Sequence, residues 1–268
     1  MAGKEKYLNM PIVIFNKPGA GGQKGWNWFA GKASTDGHQL AAYNVPHFIA
    51  QSIKFDTKYN INNLEPIANW GADPAVLIAP KDSPFNSVAD VVAHAKANPG
   101  TITVSGAGLY VGHHIAHLQF ERAADIKLKY IPAGGGVKAM KMVLGNQVMA
   151  GFNNLSDAYR QGDRIKILGV ADNQREEMFL PDVPTFKEQG IDVDDSSVNF
   201  RGIMARKGTP QEVIDFLAER VHLMFQDKKV AKKMKAGGSP LRIMTRDEVL
   251  AMWAERQPYL EDLLKGLD

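Results

Sequence analysis

The sequence predicts an α/β protein in which helices connect the strands of mainly parallel sheets. Apolar segments of strand length alternate with segments of helical periodicity along most of the 268 residues. Strands separated by helices favour right-handed crossovers and hence parallel pairing. Three of the strand-like segments run into glycine-rich turns, which are Pro18-Gly19-Ala20-Gly21-Gly22, Ser105-Gly106-Ala107-Gly108 and Pro132-Ala133-Gly134-Gly135-Gly136.

The N-terminal third contains the first of these units. A strand is predicted at residues 12–15, and a helix at residues 23–32 follows the glycine turn. Further strands are predicted at residues 39–43 and 76–79. Ser87 is a predicted N-cap, because its hydroxyl can accept a hydrogen bond from the first turn of a helix at residues 88–97.

The rest of the chain continues the alternation and ends in helices. Strands are predicted at residues 102–104, 128–131, 149–152, 165–170 and 200–205, with helices that start near residues 111, 137 and 155. The tail is predicted to be largely helical, at residues 210–225, 228–236 and 246–264.

Composition excludes several classes of protein. The net charge of +3 is small and the charges are interleaved, so no nucleic-acid surface is expected; the lysine-rich run at residues 228–235 is interpreted as the solvated face of a helix. The absence of cysteine excludes disulfides, thiol nucleophiles and cysteine-ligated zinc. No window approaches the roughly 20 apolar residues of a membrane span, and the first six residues lack the apolar core of a secretory signal. We expect a soluble chain from which any export signal has been removed or was never included.

Several short motifs occur in the order and spacing of one known family. They are Asn16-Lys17-Pro18-Gly19-Ala20-Gly21-Gly22, His114-Ile115-Ala116, Leu144-Gly145-Asn146-Gln147-Val148 followed by Asn153-Asn154-Leu155, Leu180-Pro181-Asp182-Val183-Pro184-Thr185 with Gly190, and Gly208-Thr209-Pro210. With these motifs the chain, from about residue 7 to the C-terminus, resembles the tripartite tricarboxylate transporter receptors, also called Bug-type solute-binding proteins.

The resemblance implies a two-lobed periplasmic-binding-protein-like fold, with residues 1–78 and 200–268 in the first lobe and residues 79–199 in the second. It implies a periplasmic receptor that captures a small organic carboxylate between the lobes and delivers it to the permease subunits of a tripartite transporter. Such a receptor is not an enzyme, has no cofactor or metal, binds no nucleic acid and does not itself span the membrane.

Two features depart from the family pattern. Relatives begin with a further strand, glycine-rich loop and helix, whereas this sequence opens with Glu5-Lys6-Tyr7-Leu8-Asn9, which resembles the end of that helix. The first lobe is therefore expected to lack this strand-loop-helix unit, either by trimming or because the lobe is rebuilt. Many relatives also have a short link with serine or threonine before the histidine, whereas this chain has Leu109 and Tyr110 and a longer loop. That change favours a ligand larger or more apolar than a simple dicarboxylate.

The predicted ligand-binding residues come from the turns that follow strands. Glycines lack a Cβ, so their N–H groups can approach an anion closely beside the positive end of a helix dipole. Polar residues at the carboxyl ends of strands lie where open α/β sheets bind ligands. The predicted set is Gly21, Gly22, Asn44, His47, Gly106, Gly108, Gly134, Gly135 and Asn154. The alternative is that the glycines only permit tight turns and that the polar side chains cap backbone groups.

Two enzymatic alternatives remain open. His113, His117 and Glu121 share one helical face and could ligate zinc, although His114 occupies the place of the general-base glutamate of a zinc protease. A nucleotide-dependent enzyme is the other alternative, because glycine turns after strands are typical of dinucleotide folds. The spacing of the first glycine turn does not fit the dinucleotide-binding pattern.

Overall fold

A computed structural model describes residues 4–236, 238 and 240–267, and these residues form ten α-helices and nine strands. In chain order the first elements are α1 (Lys4–Tyr7), α2 (Gln23–Lys32), β1 (Ala41–Val45), α3 (His47–Lys54), β2 (Leu64–Asp73), β3 (Ala75–Pro80), α4 (Val88–Ala97), β4 (Thr103–Gly106), α5 (Gly112–Ala124) and β5 (Lys129–Pro132). The remaining elements are α6 (Gly136–Leu144), β6 (Ala150–Asn154), α7 (Leu155–Tyr159), β7 (Ile165–Ala171), β8 (Asn199–Arg206), α8 (Gln211–Gln226), α9 (Lys228–Ala236), β9 (Leu241–Met244) and α10 (Arg246–Leu263).

The chain divides into two compact units. The first consists of Met1–Ala72 together with Phe200–Asp268, and the second of Asp73–Asn199. The first division falls at the end of β2, so all of β3 belongs to the second unit, whereas our lobe boundary after residue 78 would cut β3. The assignment of the two units to the lobes of a receptor stays a prediction.

The sheet of the second unit has the strand order β5-β4-β6-β3-β7. Strands β5, β4 and β6 are parallel, and the helices α5 and α6 connect them as the crossover rule predicts. Strand β3 is antiparallel to both β6 and β7, so β7 runs in the same direction as β6. The sheet is thus mainly parallel as predicted. Its exception, β3, follows β2 through Pro74 without a helix, so no crossover dictates its direction.

Helices cover both faces of this sheet. Successive residues of a strand point to opposite faces. Along β3, Leu77 and Ala79 pack into a core beneath α4 and α5, whereas Val76 and Ile78 pack into a second core beneath α6 and α7. Phe120, Phe152 and Phe186 form the aromatic centre of the first of these cores. The second unit is therefore a three-layer α/β arrangement.

The sheet of the first unit has the order β1-β8-β2-β9. The pairs β1–β8 and β2–β9 are antiparallel, so the predicted mainly parallel arrangement is wrong for these two pairs. The prediction relied on crossovers between consecutive strands. Here the consecutive strands β1 and β2, which α3 connects, are not neighbours, because β8 lies between them.

The strand predicted at residues 12–15 does not form. These residues are irregular and pair with no strand in the described structure. Their apolar side chains face solvent, with Val13 70%, Ile14 66% and Phe15 82% exposed. A strand needs a hydrogen-bonding partner as well as β propensity, and here no described strand provides one. The first of the three predicted strand-turn-helix units therefore consists of a turn and a helix.

The predicted helices are confirmed, with small shifts at some ends. Helix α4 begins at the predicted N-cap: Ser87 Oγ accepts from the N–H of Asp90 at 3.1 Å, and the Asp90 carboxylate accepts from the N–H of Ser87 at 3.0 Å. This reciprocal capping box satisfies two backbone donors at the helix start. No described helix combines the length and apolarity needed to cross a membrane.

Candidate functional site

The candidate site of the second unit lies where β4, β5 and β6 end. Because these strands are parallel, their carboxyl ends meet at one edge of the sheet, where open α/β folds bind ligands. The turns after β4 and β5 are joined directly, since the N–H of Ala133 donates to Gly106 O at 2.9 Å and the N–H of Gly135 to Ala107 O at 2.7 Å. Helices α5 and α6 begin at these turns and direct their N-termini to the same edge.

A buried histidine connects the turn after β4 to the end of β6. The Nδ1 atom of His113 accepts a hydrogen bond from the N–H of Ala107 at 3.1 Å, and Nε2 lies 3.1 Å from Asn154 Oδ1. Since Nδ1 is an acceptor, we assign the proton of the neutral ring to Nε2, which donates to Asn154. The histidine therefore orients the Asn154 amide, whose Nδ2 group has no protein partner among the described residues.

Asn153 extends this connection to α6. Its Nδ2 donates to Gly136 O at 3.0 Å, and its Oδ1 accepts from the N–H of Asn154 at 2.9 Å. Asn153 is fully buried, whereas Asn154 is partly exposed. The three loops are thus held together by hydrogen bonds, and Asn154 presents two N–H donors at their surface.

A lysine adds positive charge to the turn after β5. Lys138 is exposed on the first turn of α6, and its Nζ lies 3.9 Å from the position that a Cβ would occupy on Gly134. Asp157 also lies close to this region, beside Gly136, but its carboxylate is ion-paired with Arg160. The ammonium group and the start of α6 therefore favour an anion near Gly134. Sequence reasoning missed Lys138, although a lysine in the first turn after a glycine loop was a readable signal.

The structure accounts for the predicted glycines of the second unit in different ways. A Cβ on Gly106 would lie 2.1 Å from Tyr130 Oη, so this glycine makes room for the tyrosine. Gly134 and Gly135 have φ angles of 74° and 142°, which side chains rarely adopt. Gly108 has neither constraint, because its φ is not left-handed and no described atom lies within 4 Å of the position that a Cβ would occupy.

Two of the predicted glycine amides are used by the protein itself. The N–H of Gly135 donates to Ala107 O, and the N–H of Gly22 donates to Gly19 O at 3.1 Å. The first bond joins the turn after β5 to the turn after β4, and the second closes the turn in which Gly22 lies. Both amides therefore have backbone acceptors in the structure. Ligand binding by the predicted residues stays a prediction.

The two residues of the loop after β4 that depart from the family pattern differ in exposure. Leu109 is 47% exposed, whereas Tyr110 is buried and its ring packs edge-on against His114 at 5.3 Å between centroids. The N–H of Tyr110 donates to His114 Nδ1 at 3.1 Å. Leu109, not Tyr110, therefore lies at the surface of this loop.

Two further histidines lie below the loops. His114 and His117 stack with ring centroids 6.0 Å apart, and both contact the ring of Tyr130. Burial lowers the pKa of His114 to about 4; burial, with smaller contributions from His114 and Lys127, lowers the pKa of His117 to about 3. Both rings are therefore neutral near pH 7.

The geometry does not assemble the metal site considered as an alternative. Both ring nitrogens of His113 have protein partners, and His117 Nε2 lies 3.7 Å from Glu121 Oε2, beyond a normal hydrogen bond. Within the described part of the chain, no group of three histidine, aspartate or glutamate side chains is placed to hold a metal ion.

In the first unit, the glycine turn before α2 is tied to α3. Gln51 of α3 donates from Nε2 to Gly21 O at 3.4 Å and accepts from the Tyr59 hydroxyl at 3.2 Å. Gly22 has a φ of 104°, and a Cβ there would lie 2.8 Å from the ring of Trp26. Gly22 is therefore required by the turn and by the packing of the tryptophan.

Asn44 and His47 lie at the junction of β1 and α3. The strand extends to Val45, so Asn44 lies within it instead of following it as predicted. Asn44 is directly opposite Arg201 of β8, and the two side chains share one face of the sheet. His47 is the first residue of α3. Arg201 therefore lies beside Asn44 as a partly exposed positive charge. The sequence alone could not show that this arginine and Asn44 are neighbours.

Comparison with known proteins identifies the family. A family model described as the tripartite tricarboxylate transporter family receptor matches residues 1–255. The protein BugT of Bordetella pertussis is 28% identical over 254 residues, which are 92% of this chain and 77% of BugT. A protein encoded in the gbd 5′ region of Cupriavidus necator is 30% identical over 79% of this chain; the match spans 64% of that relative.

Solved structures show the same fold. A TctC solute-binding protein from Polaromonas has 25% identity and a TM-score of 0.80, with 99% of this chain and 91% of that chain covered. The periplasmic binding protein BugD has 26% identity and a TM-score of 0.84, with 98% and 89% covered. The two-lobed periplasmic-binding-protein-like class is thereby confirmed, and both family and fold are those of solute-binding receptors. The chain belongs to the tripartite tricarboxylate transporter receptor family.

Proposed function

We propose that the protein is a periplasmic receptor that binds a small organic carboxylate and delivers it to a membrane permease. The observation that carries the proposal is the loop set at the ends of β4, β5 and β6. There His113 orients the amide of Asn154, and Lys138 and the starts of α5 and α6 supply positive potential. Membership of the receptor family supports the same class of ligand.

The hydrogen-bond donors of these loops are consistent with the binding free energy that such a receptor needs. A hydrogen bond to a charged group contributes about 1.5 to 3 kcal/mol, and each helix N-terminus about 0.3 to 1 kcal/mol. A dissociation constant of about 1 μM corresponds to about 8 kcal/mol. One carboxylate held by Asn154, Lys138 and the helix starts therefore supplies part of this free energy, and apolar contacts such as exposed Leu109 supply more.

The loop chemistry favours binding over catalysis. A general base needs a nitrogen or oxygen free to take a proton from the substrate. Both nitrogens of His113 are hydrogen-bonded within the protein, and the rings of His114 and His117 are buried. We therefore propose no reaction at this site. We propose instead that the protein releases its bound ligand to a permease, which is the role of a transporter receptor.

A single substitution tests the ligand site. Asn154→Asp keeps an oxygen that can accept from His113 but replaces the Nδ2 donor with negative charge. We expect it to weaken carboxylate binding at least about 10- to 100-fold, since one charge-assisted hydrogen bond is lost and a repulsion is added. The matched control is Asn98→Asp, which adds the same charge to the second unit just before β4, at the opposite end of the sheet.

Calorimetry against a panel of mono-, di- and tricarboxylates measures this difference. The panel includes malate and adipate, which are bound in two Rhodopseudomonas palustris proteins that share the fold at 22% and 18% identity. A ligand that binds only the folded protein also raises the melting temperature. If no carboxylate binds, or if N154D binds as tightly as N98D, the proposed site is wrong.

Gly108 provides a second test within the same loops. A Cβ on Gly108 would meet no described atom of the protein within 4 Å, so Gly108→Ala should leave the stability unchanged. If a ligand approaches this backbone, the added methyl group should weaken binding. Gly31→Ala in α2 is the control, because its Cβ would meet only the Lys58 side chain at 3.4 Å. Equal affinity of G108A and G31A would remove Gly108 from the site.

Delivery to the permease needs a cellular assay. Cells that carry the cognate permease and the wild-type receptor should accumulate radiolabelled ligand, and cells with N154D should not. Uptake that does not depend on the receptor would contradict this part of the proposal while leaving the binding site untouched.

A further inference from the structure

Helix α9 concentrates the positive charge of the chain. Five of its nine residues are lysines, at positions 228, 229, 232, 233 and 235, and it contains no acidic residue. All five lysines are exposed, and none of their ammonium groups has a hydrogen bond or an ion pair with another described residue. Some exposed lysines elsewhere in the chain, Lys6 and Lys187 among them, have carboxylate partners at 3.3 and 3.7 Å.

The lysines lie on one side of the helix. With about 3.6 residues per turn, the five side chains cover an arc of about 160°, and Val230 and Met234 lie on the remaining side. Val230 and Met234 are partly buried, and α9 packs against α8 and β9. The apolar side of α9 is therefore used by the fold, and its outer side is a surface of ammonium groups.

The rest of the chain has the opposite net charge. The chain has 32 basic residues (Lys and Arg) and 29 acidic ones (Asp and Glu), for a net charge of +3. Without the five lysines of α9, 27 basic residues face 29 acidic ones, a net charge of −2. An anionic surface therefore attracts α9 and repels the remainder of the molecule on average, which orients the protein with α9 toward that surface.

We propose that α9 is a docking surface for an anionic phospholipid membrane. A lipid surface is a planar array of phosphates that flexible lysines can meet together, without a fixed geometry for each one. The hot spots of protein interfaces are enriched in tryptophan, tyrosine and arginine, and α9 contains none of these. Because Val230 and Met234 face the fold, the contact is electrostatic and peripheral, without insertion into the hydrocarbon region.

Vesicle flotation tests this proposal with the whole protein. We expect binding to vesicles of phosphatidylcholine with about 30 mol% phosphatidylglycerol, and none to pure phosphatidylcholine. Binding should disappear when the salt concentration rises from about 0.05 M to about 0.5 M, because the contact is screened. Each lysine removed should weaken the partition coefficient about fivefold, so that replacing all five by glutamine abolishes measurable binding.

The matched control changes the net charge equally without touching α9. It replaces five exposed lysines of the second unit, at positions 81, 96, 127, 129 and 141, by glutamine and should retain vesicle binding. Circular dichroism and carboxylate binding establish that each variant is folded. These measurements also separate a failure of the docking surface from a failure of the proposed ligand site.

Three results would overturn the proposal. The first is that wild-type protein fails to float with the anionic vesicles at low salt. The second is equal loss of binding in the two five-lysine variants, which would indicate an effect of net charge alone. The third is tighter binding to duplex DNA than to the vesicles at the same salt concentration, which would identify a nucleic-acid surface instead.

Discussion

Acidification should destabilise the second unit because of its two buried histidines. His114 and His117 are neutral in the folded protein, with pKa values of about 4 and about 3, against 6.5 for an unperturbed histidine. Between these values the unfolded chain binds protons that the folded protein does not. Stability therefore rises with pH in this window and is lost as the pH falls below about 6.5.

The magnitude follows from the same values. One proton taken up only on unfolding costs about 1.36 kcal/mol of stability per pH unit. Two such groups, titrating between neutral pH and about pH 5, remove about 4 kcal/mol in total. That is a large share of the roughly 5 to 15 kcal/mol by which domains are typically stable. The carboxylates whose pKa is lowered, such as Asp36 and Glu188, are exposed and lose their charge only below this window.

The assay must distinguish the two units. All four tryptophans, at positions 26, 28, 70 and 253, belong to the first unit, so their fluorescence does not report on the second. Hydrogen exchange measured by mass spectrometry gives the opening free energy of peptides from each unit separately. We expect peptides from β3 and β6 to lose protection between about pH 7 and about pH 5, after correction for the intrinsic exchange rate.

A substitution isolates the contribution of one ring. His117→Phe keeps an aromatic ring against His114 and Tyr130 but cannot take up a proton, so the pH dependence should fall by about 1.36 kcal/mol per pH unit. His38→Gln, at an exposed position of the first unit, is the control and should leave the slope of the second unit unchanged. If H117F retains the full wild-type slope, the buried pair is not the source of the acid sensitivity.

Three further substitutions have defined outcomes in equilibrium urea unfolding followed by far-UV circular dichroism. Ser87→Ala should cost about 1 kcal/mol, because one half of the capping box with Asp90 is lost; a change near zero would mean that water replaces the cap. Gly106→Ala should destabilise by roughly 1 to 3 kcal/mol, since its methyl group must displace the Tyr130 hydroxyl, and an unchanged midpoint would refute this packing. Phe186→Ala should cost about 3 to 5 kcal/mol through the cavity that it leaves in a fully buried aromatic cluster, and a loss below about 1 kcal/mol would show that the core collapses around it.

The sequence predicted the second unit well because its elements carry their own signals. The strands β4, β5 and β6 are short apolar runs separated by helical segments, and the preceding helix α4 has regular apolar spacing and a recognisable N-cap, Ser87. These patterns are local, so they can be read without knowing which elements touch. The parallel order of the three strands then follows from the helical crossovers.

The first unit was harder to predict from the sequence, because its strands depend on contacts between residues that are far apart in the chain. Strand β2 was not predicted, since it contains Glu65, Pro66, Asn69 and Gly71, which are poor strand formers. In the structure the polar side chains among them are buried with partners from elsewhere in the chain: Asn69 accepts from the Tyr43 hydroxyl at 3.0 Å. Residues 12–15 show the converse case, in which strong β propensity without a neighbouring strand gives no strand.

The position of the candidate site could be predicted, but the chemistry of its glycines could not. Glycine occurs in a sequence for three different reasons, which are a left-handed φ, a neighbour that fills the place of the Cβ, or a ligand that does so. Among the six predicted glycines, the first two reasons account for Gly21, Gly22, Gly106, Gly134 and Gly135. Gly108 alone has an unstrained backbone beside open space. The fold itself does not require glycine there. We therefore propose that the backbone of Gly108, in the loop that His113 joins to Asn154, is approached by the ligand.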